Sequence, residues 1–161
     1  MPARKRRPLS KKTQRGRSLK GRSPAFRSKF EETIASTLRV AGVKFDYETV
    51  TVTYQKEVRG SECQACGSTD VYTTAKYTPD FILANGIFIE AKGKFTPRDR
   101  TKILAVLRSN NEINRDNFRI LFMYDNWLTK KKLKRYTDWC AQHDIQCAVG
   151  TEVPEEWTKK N

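Results

Sequence analysis

At 161 residues the chain is long enough for one domain with a modest core. Its 32 Lys and Arg against 18 Asp and Glu give a formal net charge of +14, which argues for a polyanionic partner. No apolar run approaches the ~18 residues of a membrane-spanning helix, and no apolar leader core follows the basic N-terminus, so a soluble protein is expected.

The charge is uneven. Residues 1–24 carry ten cations and no anion: Arg4, Lys5, Arg6, Arg7, Lys11, Lys12, Arg15, Arg17, Lys20 and Arg22. That leaves 22 basic against 18 acidic residues elsewhere, a net of +4. A basic, apolar-poor segment cannot collapse on its own, and it reads as a disordered arm that binds nucleic acid through counterion release. A solubility tail or targeting sequence is the plainer reading. The rest, residues 25–161, reads as one domain.

Next, "SPAFRSKFEETIASTLRVAG" has helix punctuation: Ser23 to cap, Pro24 for the first turn, Gly42 for the stop. Phe26, Phe30, Ile34 and Leu38 form its apolar stripe, which Glu31 flanks while Glu32 turns away. In "VKFDYETVTVTYQKEV" the alternation of Val43, Phe45 and Tyr47 changes parity before Val50, Val52 and Tyr54. The slip near Glu48–Thr49 predicts a bulge or a junction between two strand segments. "RGSECQACGSTD" then interrupts with turn residues and the pair Cys63 and Cys66.

"YTPDFILANGIFIEAKGK" reads as two apolar strands around a turn, yet it holds Asp80, Glu90 and Lys92. A two-residue Asn-Gly turn would set Asp80 opposite Ala91. A three-residue loop with Gly86 in the left-handed conformation pairs Leu83 with Ile87 and sets Asp80 opposite Glu90. Glu90 and Lys92 share a face because strand period is two. That register separates apolar from charged residues and gathers two carboxylates and a lysine. Adjacent anions beside an apolar sheet are costly, and Mg²⁺, a hard cation with oxygen ligands, relieves the cost. The Ala91 carbonyl is a further oxygen donor, and Lys92 suits orienting or deprotonating water or holding developing phosphate charge. The plainer reading is a cross-strand ion cluster on an exposed face.

Downstream, "FTPRDRTKILAVLRSN" predicts a helix with Thr96 as cap, and "FRILFMY" a buried strand. "LTKKKLKRYTDWCAQHD" predicts a helix burying Leu133, Tyr136 and Trp139 or Cys140, with Lys130 to Arg135 exposed. "IQCAV" reads as a last strand, and "PEEWTKKN" as a tail docking Trp157. The order predicts an α/β domain around a central mixed sheet.

Pro79-Asp80 followed by Glu90-Ala91-Lys92 matches the PD-(D/E)xK nuclease pattern. "AFRSKFEETIA", "VKFDYE", "YTPDFILANGIFIEAKG" and "PEEW" resemble, in the same order, the T-seven-type phage endonuclease I family, from about Ala25 to Trp157. The resemblance implies a restriction-endonuclease-like core and an enzyme that resolves four-way (Holliday) DNA junctions by hydrolysing phosphodiesters. It implies Mg²⁺ as cofactor, with Mn²⁺ able to substitute, and 5′-phosphate products. It carries the catalytic residues onto Glu31, Asp80, Glu90 and Lys92, with Glu31, Asp80 and Glu90 toward the metal. An intertwined homodimer follows, each site taking its helix glutamate from the partner, with the region from Val43 to Val58 as the bridge. The setting implied is the cytoplasm of a phage-infected bacterium.

Residues 58–76 depart from that family as an insertion. Cys63-x-x-Cys66-Gly67 resembles half of a structural Zn²⁺ site. The other half would come from Cys140, His143 and Cys147 or from the partner subunit; otherwise the loop holds two reduced thiols. Trp127, Trp139 and Trp157 read as core or dimer packing. Two rivals to the junction nuclease stand: a free-standing homing or mismatch endonuclease with the same hairpin, and a non-catalytic nucleic-acid-binding protein.

Overall fold

The computed structural model describes residues 26–58, 62–69 and 71–159. The ten-cation arm, Ser23 and Pro24 lie outside the described residues. Helix α1 spans Lys29–Val40 and is capped by Ser28, whose Oγ accepts the Glu31 N–H at 3.2 Å. Phe26 therefore precedes the helix, and its ring packs edge-on against Tyr47 with centroids 4.6 Å apart. Phe30, Ile34 and Leu38 form the buried stripe as expected. Gly42, at φ +69°, ends it: Gly42 N–H donates to Arg39 O and Val43 N–H to Leu38 O, the paired bonds of a Schellman stop.

The predicted parity slip is a change of sheet. Strand β1, Phe45–Tyr47, joins the main sheet, whereas β2, Val52–Glu57, pairs with β3, Tyr72–Tyr77, in a separate two-stranded sheet. Glu48 at the junction takes φ +50°. The segment read as an insertion, residues 58–76, thus contains all of β3 but its last residue, Tyr77. β3 escaped the sequence reading because most of its side chains are exposed and only Ala75 and Tyr77 show an apolar face.

Strands β4, Phe81–Leu83, and β5, Phe88–Lys92, form the expected hairpin, followed by helix α2, Pro97–Ser109. Thr96 caps α2 in a reciprocal box with Asp99. Then come β6, Phe118–Phe122, helix α3, Tyr136–Gln142, β7, Gln146–Val149, and the short helix α4, Glu155–Thr158. The five-stranded sheet runs β1-β4-β5-β6-β7. β1, β4 and β5 pair antiparallel, and β5, β6 and β7 parallel through the α2 and α3 crossovers. The expected α/β fold with a mixed sheet is what forms.

The expectation for α3 needs correction. It starts at Tyr136, and Leu133 lies before it, 77% exposed. Lys132 takes φ +53°, which interrupts a helix there, and the Arg135 N–H turns to Asp138 Oδ2 at 2.7 Å. Lys130 to Arg135 are exposed as expected, but on a turn rather than a helical face.

Two cores flank the sheet. On one face Phe88, Phe118, Ile120 and Phe122 meet α2, α3, Val52, Tyr54 and Tyr77. On the other, Phe81, Leu83, Ile89 and Leu121 meet α1 and Trp157. Both faces of β6 are covered, which is why its run is continuously apolar. Asn85 at the hairpin turn donates to Trp157 O and Lys159 O, so the turn also anchors the tail. Trp157→Ala is expected to cost about 3–5 kcal/mol in urea unfolding. A loss under about 1 kcal/mol would mean that the tail merely rests on the sheet. Among the described residues no helix is long and apolar enough to cross a membrane.

Candidate active site

The β4–β5 turn adopts the three-residue form. Leu83 N–H donates to Ile87 O at 2.8 Å, and Gly86 sits at φ +86°. Phe81 faces Ile89, so one step further Asp80 faces Glu90. Asp80 is held by two hydrogen bonds. Its backbone oxygen accepts the Glu48 N–H at 3.0 Å, and its Oδ2 accepts the Ala91 N–H at 2.7 Å. Pro79 falls opposite Ala91 in the same register and has no N–H to give to the Ala91 carbonyl.

Glu90 is buried in the centre of the sheet. Its Oε1 meets Lys92 Nζ at 2.5 Å and Lys102 Nζ, from α2, at 3.9 Å. Its Oε2 accepts the Tyr77 hydroxyl at 2.5 Å. Asp80, Glu90 and Lys92 therefore occupy one side of the sheet, the α2 side, as their register predicts.

The electrostatics follow from this crowding. Burial, then the charge of Glu90, push the Asp80 carboxyl up to about 7, against the Ala91 N–H and Lys92. Burial works against the Lys92 ammonium, but Glu90 and then Asp80 outweigh it and hold its pKa above the ordinary lysine value. Burial and the Glu90 charge raise Tyr77 far above its usual range, so it stays a hydroxyl donor.

A family model described as phage endonuclease I matches residues 12–161. The chain is 34% identical over 137 residues to "Endonuclease I" of Escherichia phage T7, covering 84% of this chain and 80% of that protein. It is 35% identical over 122 residues to "Endodeoxyribonuclease 1" of Enterobacteria phage T3, covering 75% and 69% respectively. The chain belongs to the phage endonuclease I family.

In this family member Glu31 stands apart from the hairpin trio. It is buried on α1, as expected, but α1 packs on the opposite face of the sheet. Its carboxylate accepts from Ser28 Oγ, the Arg27 N–H and the Tyr47 hydroxyl. It still lies close enough to add to the upward push on Asp80. Among the described residues, no three His, Cys, Asp or Glu side chains are arranged to hold a metal ion.

Two residues that touch the trio were not foreseen. Tyr77 ends β3, so without that strand its placement had no signal. Lys102 Nζ lies over the Tyr77 ring, 5.0 Å from its centroid. It follows Asp99 by three residues on α2, which puts both on one helical edge.

The other candidates scatter. Cys140 is fully buried and hydrogen-bonded to Cys147, which together with burial raises its pKa. His143 caps the C-terminus of α3 with its ring 4.5 Å from Trp139. Neither joins Cys63 and Cys66, which sit in the loop between β2 and β3. The amides of Ala65 and Cys66 hold the Cys63 thiol below its ordinary pKa. Trp139 and Trp157 are core residues, whereas Trp127 is 39% exposed under the Arg135 guanidinium.

Proposed function

We propose that this chain is a Mg²⁺-dependent DNA endonuclease that resolves four-way (Holliday) junctions and cuts branched DNA by phosphodiester hydrolysis. The observation that carries the reading is the Asp80–Glu90 pair across one hairpin register with Lys92 on the same face. Both relatives are named as endonucleases, and the name of the phage T3 relative, an endodeoxyribonuclease, supports a DNA substrate.

The donor set suits a hard divalent cation. Two carboxylates face each other, burial and then the charge of Glu90 make Asp80 reluctant to ionise, and the neighbouring Ala91 carbonyl lacks a donor from Pro79. Asp80 and Glu90 would hold Mg²⁺, with Glu31 completing the set. When bound, Mg²⁺ supplies Lewis acidity toward the phosphate and lowers the pKa of water. The protein's own part is positional. Tyr77 fixes one Glu90 oxygen, the Ala91 N–H fixes Asp80, and the Lys92 ammonium is poised to orient water or hold charge developing on phosphate.

A homodimer gives two such sites for the two strands that must be cut to resolve a junction. In the intertwined form α1 and β1 would cross to the partner through the β1–β2 link at Glu48. Glu31 would then serve the partner's hairpin, within a restriction-endonuclease-like core. A synthetic four-way junction and a linear duplex of the same sequence, each with Mg²⁺ or chelator, test the reading. The junction should be cut, and only with Mg²⁺. Preference for one duplex sequence would favour a homing or mismatch endonuclease. Binding without cleavage of any substrate would leave a non-catalytic DNA-binding protein.

The arm is assigned affinity rather than chemistry. Deleting residues 1–22 is expected to weaken binding to every DNA form at low salt and to flatten the salt dependence in a binding titration. Unchanged affinity would refute that role.

A further inference from the structure

The loop between β2 and β3 carries Cys63-Gln64-Ala65-Cys66-Gly67, and its backbone is closed on itself. The Cys63 N–H donates to Ser68 O and the Gly67 N–H to Cys63 O, each at 2.8 Å. The N–H groups of Ala65 and Cys66 both point at the Cys63 sulfur, and the Cys66 thiol lies in hydrogen-bonding contact with it. Gly67, at φ +69°, lets the chain leave the second cysteine without a Cβ in the left-handed region. Two sulfurs thus converge on one point, the first oriented by two amides. That is the local geometry of a Cys-x-x-Cys turn whose thiolates share one tetrahedral ion.

We propose that one structural Zn²⁺ joins two copies of this chain, held by Cys63 and Cys66 of each in a four-thiolate site at the loop tips. The completing ligands cannot come from the same chain's remaining thiols or imidazole. The sequence has four cysteines and one histidine. Cys140 is fully buried against Cys147, and the His143 ring is stacked on Trp139. Reaching the loop would require drawing Cys140 out of the core and turning His143 off the Trp139 ring. A second copy brought up by a two-fold axis supplies an identical pair, and two pairs fill a tetrahedron. The geometry of the β2–β3 ribbon allows it. β2 and β3 are six residues each, about 20 Å of strand, and their distal side chains are exposed, as is Cys66. Each thiol gives up its proton to solvent as the ion binds. This site is separate from the hairpin trio and does not depend on the nuclease reading.

The test is zinc content per chain in the full-length folded protein, with Co²⁺ substitution to read the ligand set by absorption. One zinc per two chains is expected, with a cobalt spectrum of tetrahedral four-thiolate type. Cys63→Ser and Cys66→Ser should each lose the metal while keeping the wild-type circular dichroism. One zinc per chain, no zinc in folded wild-type protein, or zinc retained in Cys63→Ser would each overturn the proposal. Should a serine variant not fold, the wild-type stoichiometry and cobalt spectrum decide alone.

Discussion

Lys92→Ala is expected to slow junction cleavage by about 10²–10⁴-fold while junction binding survives. The ammonium removed is the one ion-paired to Glu90 Oε1 at 2.5 Å, and Lys102 at 3.9 Å is too far to take over that contact unmoved. Because Glu90 is 2% exposed, the substitution also strips a buried carboxylate of its nearest cation. Breaking such a pair commonly costs about 3–5 kcal/mol. Activity must therefore be compared at a temperature where circular dichroism shows the variant folded. Cleavage near the wild-type rate in folded Lys92→Ala would remove Lys92 from the chemistry. Loss of junction binding together with cleavage would assign it to substrate affinity instead.

Asp80→Asn should abolish Mg²⁺-dependent cleavage and, in chelator, make the protein less sensitive to rising pH. The sign comes from the carboxyl itself. In the folded chain Asp80 titrates at about 7 against an ordinary value of 3.8. Below the unfolded value both states hold the proton, and the stability linked to Asp80 is fully present. Between the two values the unfolded chain ionises first, so this contribution drains away as pH rises toward 7 and is gone above it. The full span is about 4 kcal/mol at most. Urea unfolding of metal-free protein at pH 5 and pH 8 checks it. Wild type should lose more stability over that interval than Asp80→Asn. Equal losses would mean that Asp80 ionises in the folded state much as it does in an open chain.

How far the sequence could be read depended on whether a residue's partner was local. The hairpin register was legible because Ala84-Asn85-Gly86 admits few turns and only one of them sorts apolar from charged side chains. Glu31 was legible as the inward carboxylate because helical spacing from Ile34 and Leu38 decides which way it faces. β3 was not, since its pairing with β2 spans a cysteine loop and most of its side chains face solvent. With β3 went Tyr77, whose bond to Glu90 depends on one sheet closing over another. The lysine-rich run misled for a different reason. Its spacing suits a helix, but the left-handed Lys132 and the Arg135–Asp138 contact start α3 later. The helix glutamate's distance from the hairpin trio is a matter of which sheet face α1 covers, and no local pattern encodes that.

The most direct measurement is calorimetric titration of Mg²⁺ into the DNA-free protein at pH 8, repeated for Asp80→Asn and Glu90→Gln. Heat of binding in the wild type and none at that site in either variant is the predicted result. Wild-type binding preserved in either variant would contradict a cation held between the two arms of the hairpin.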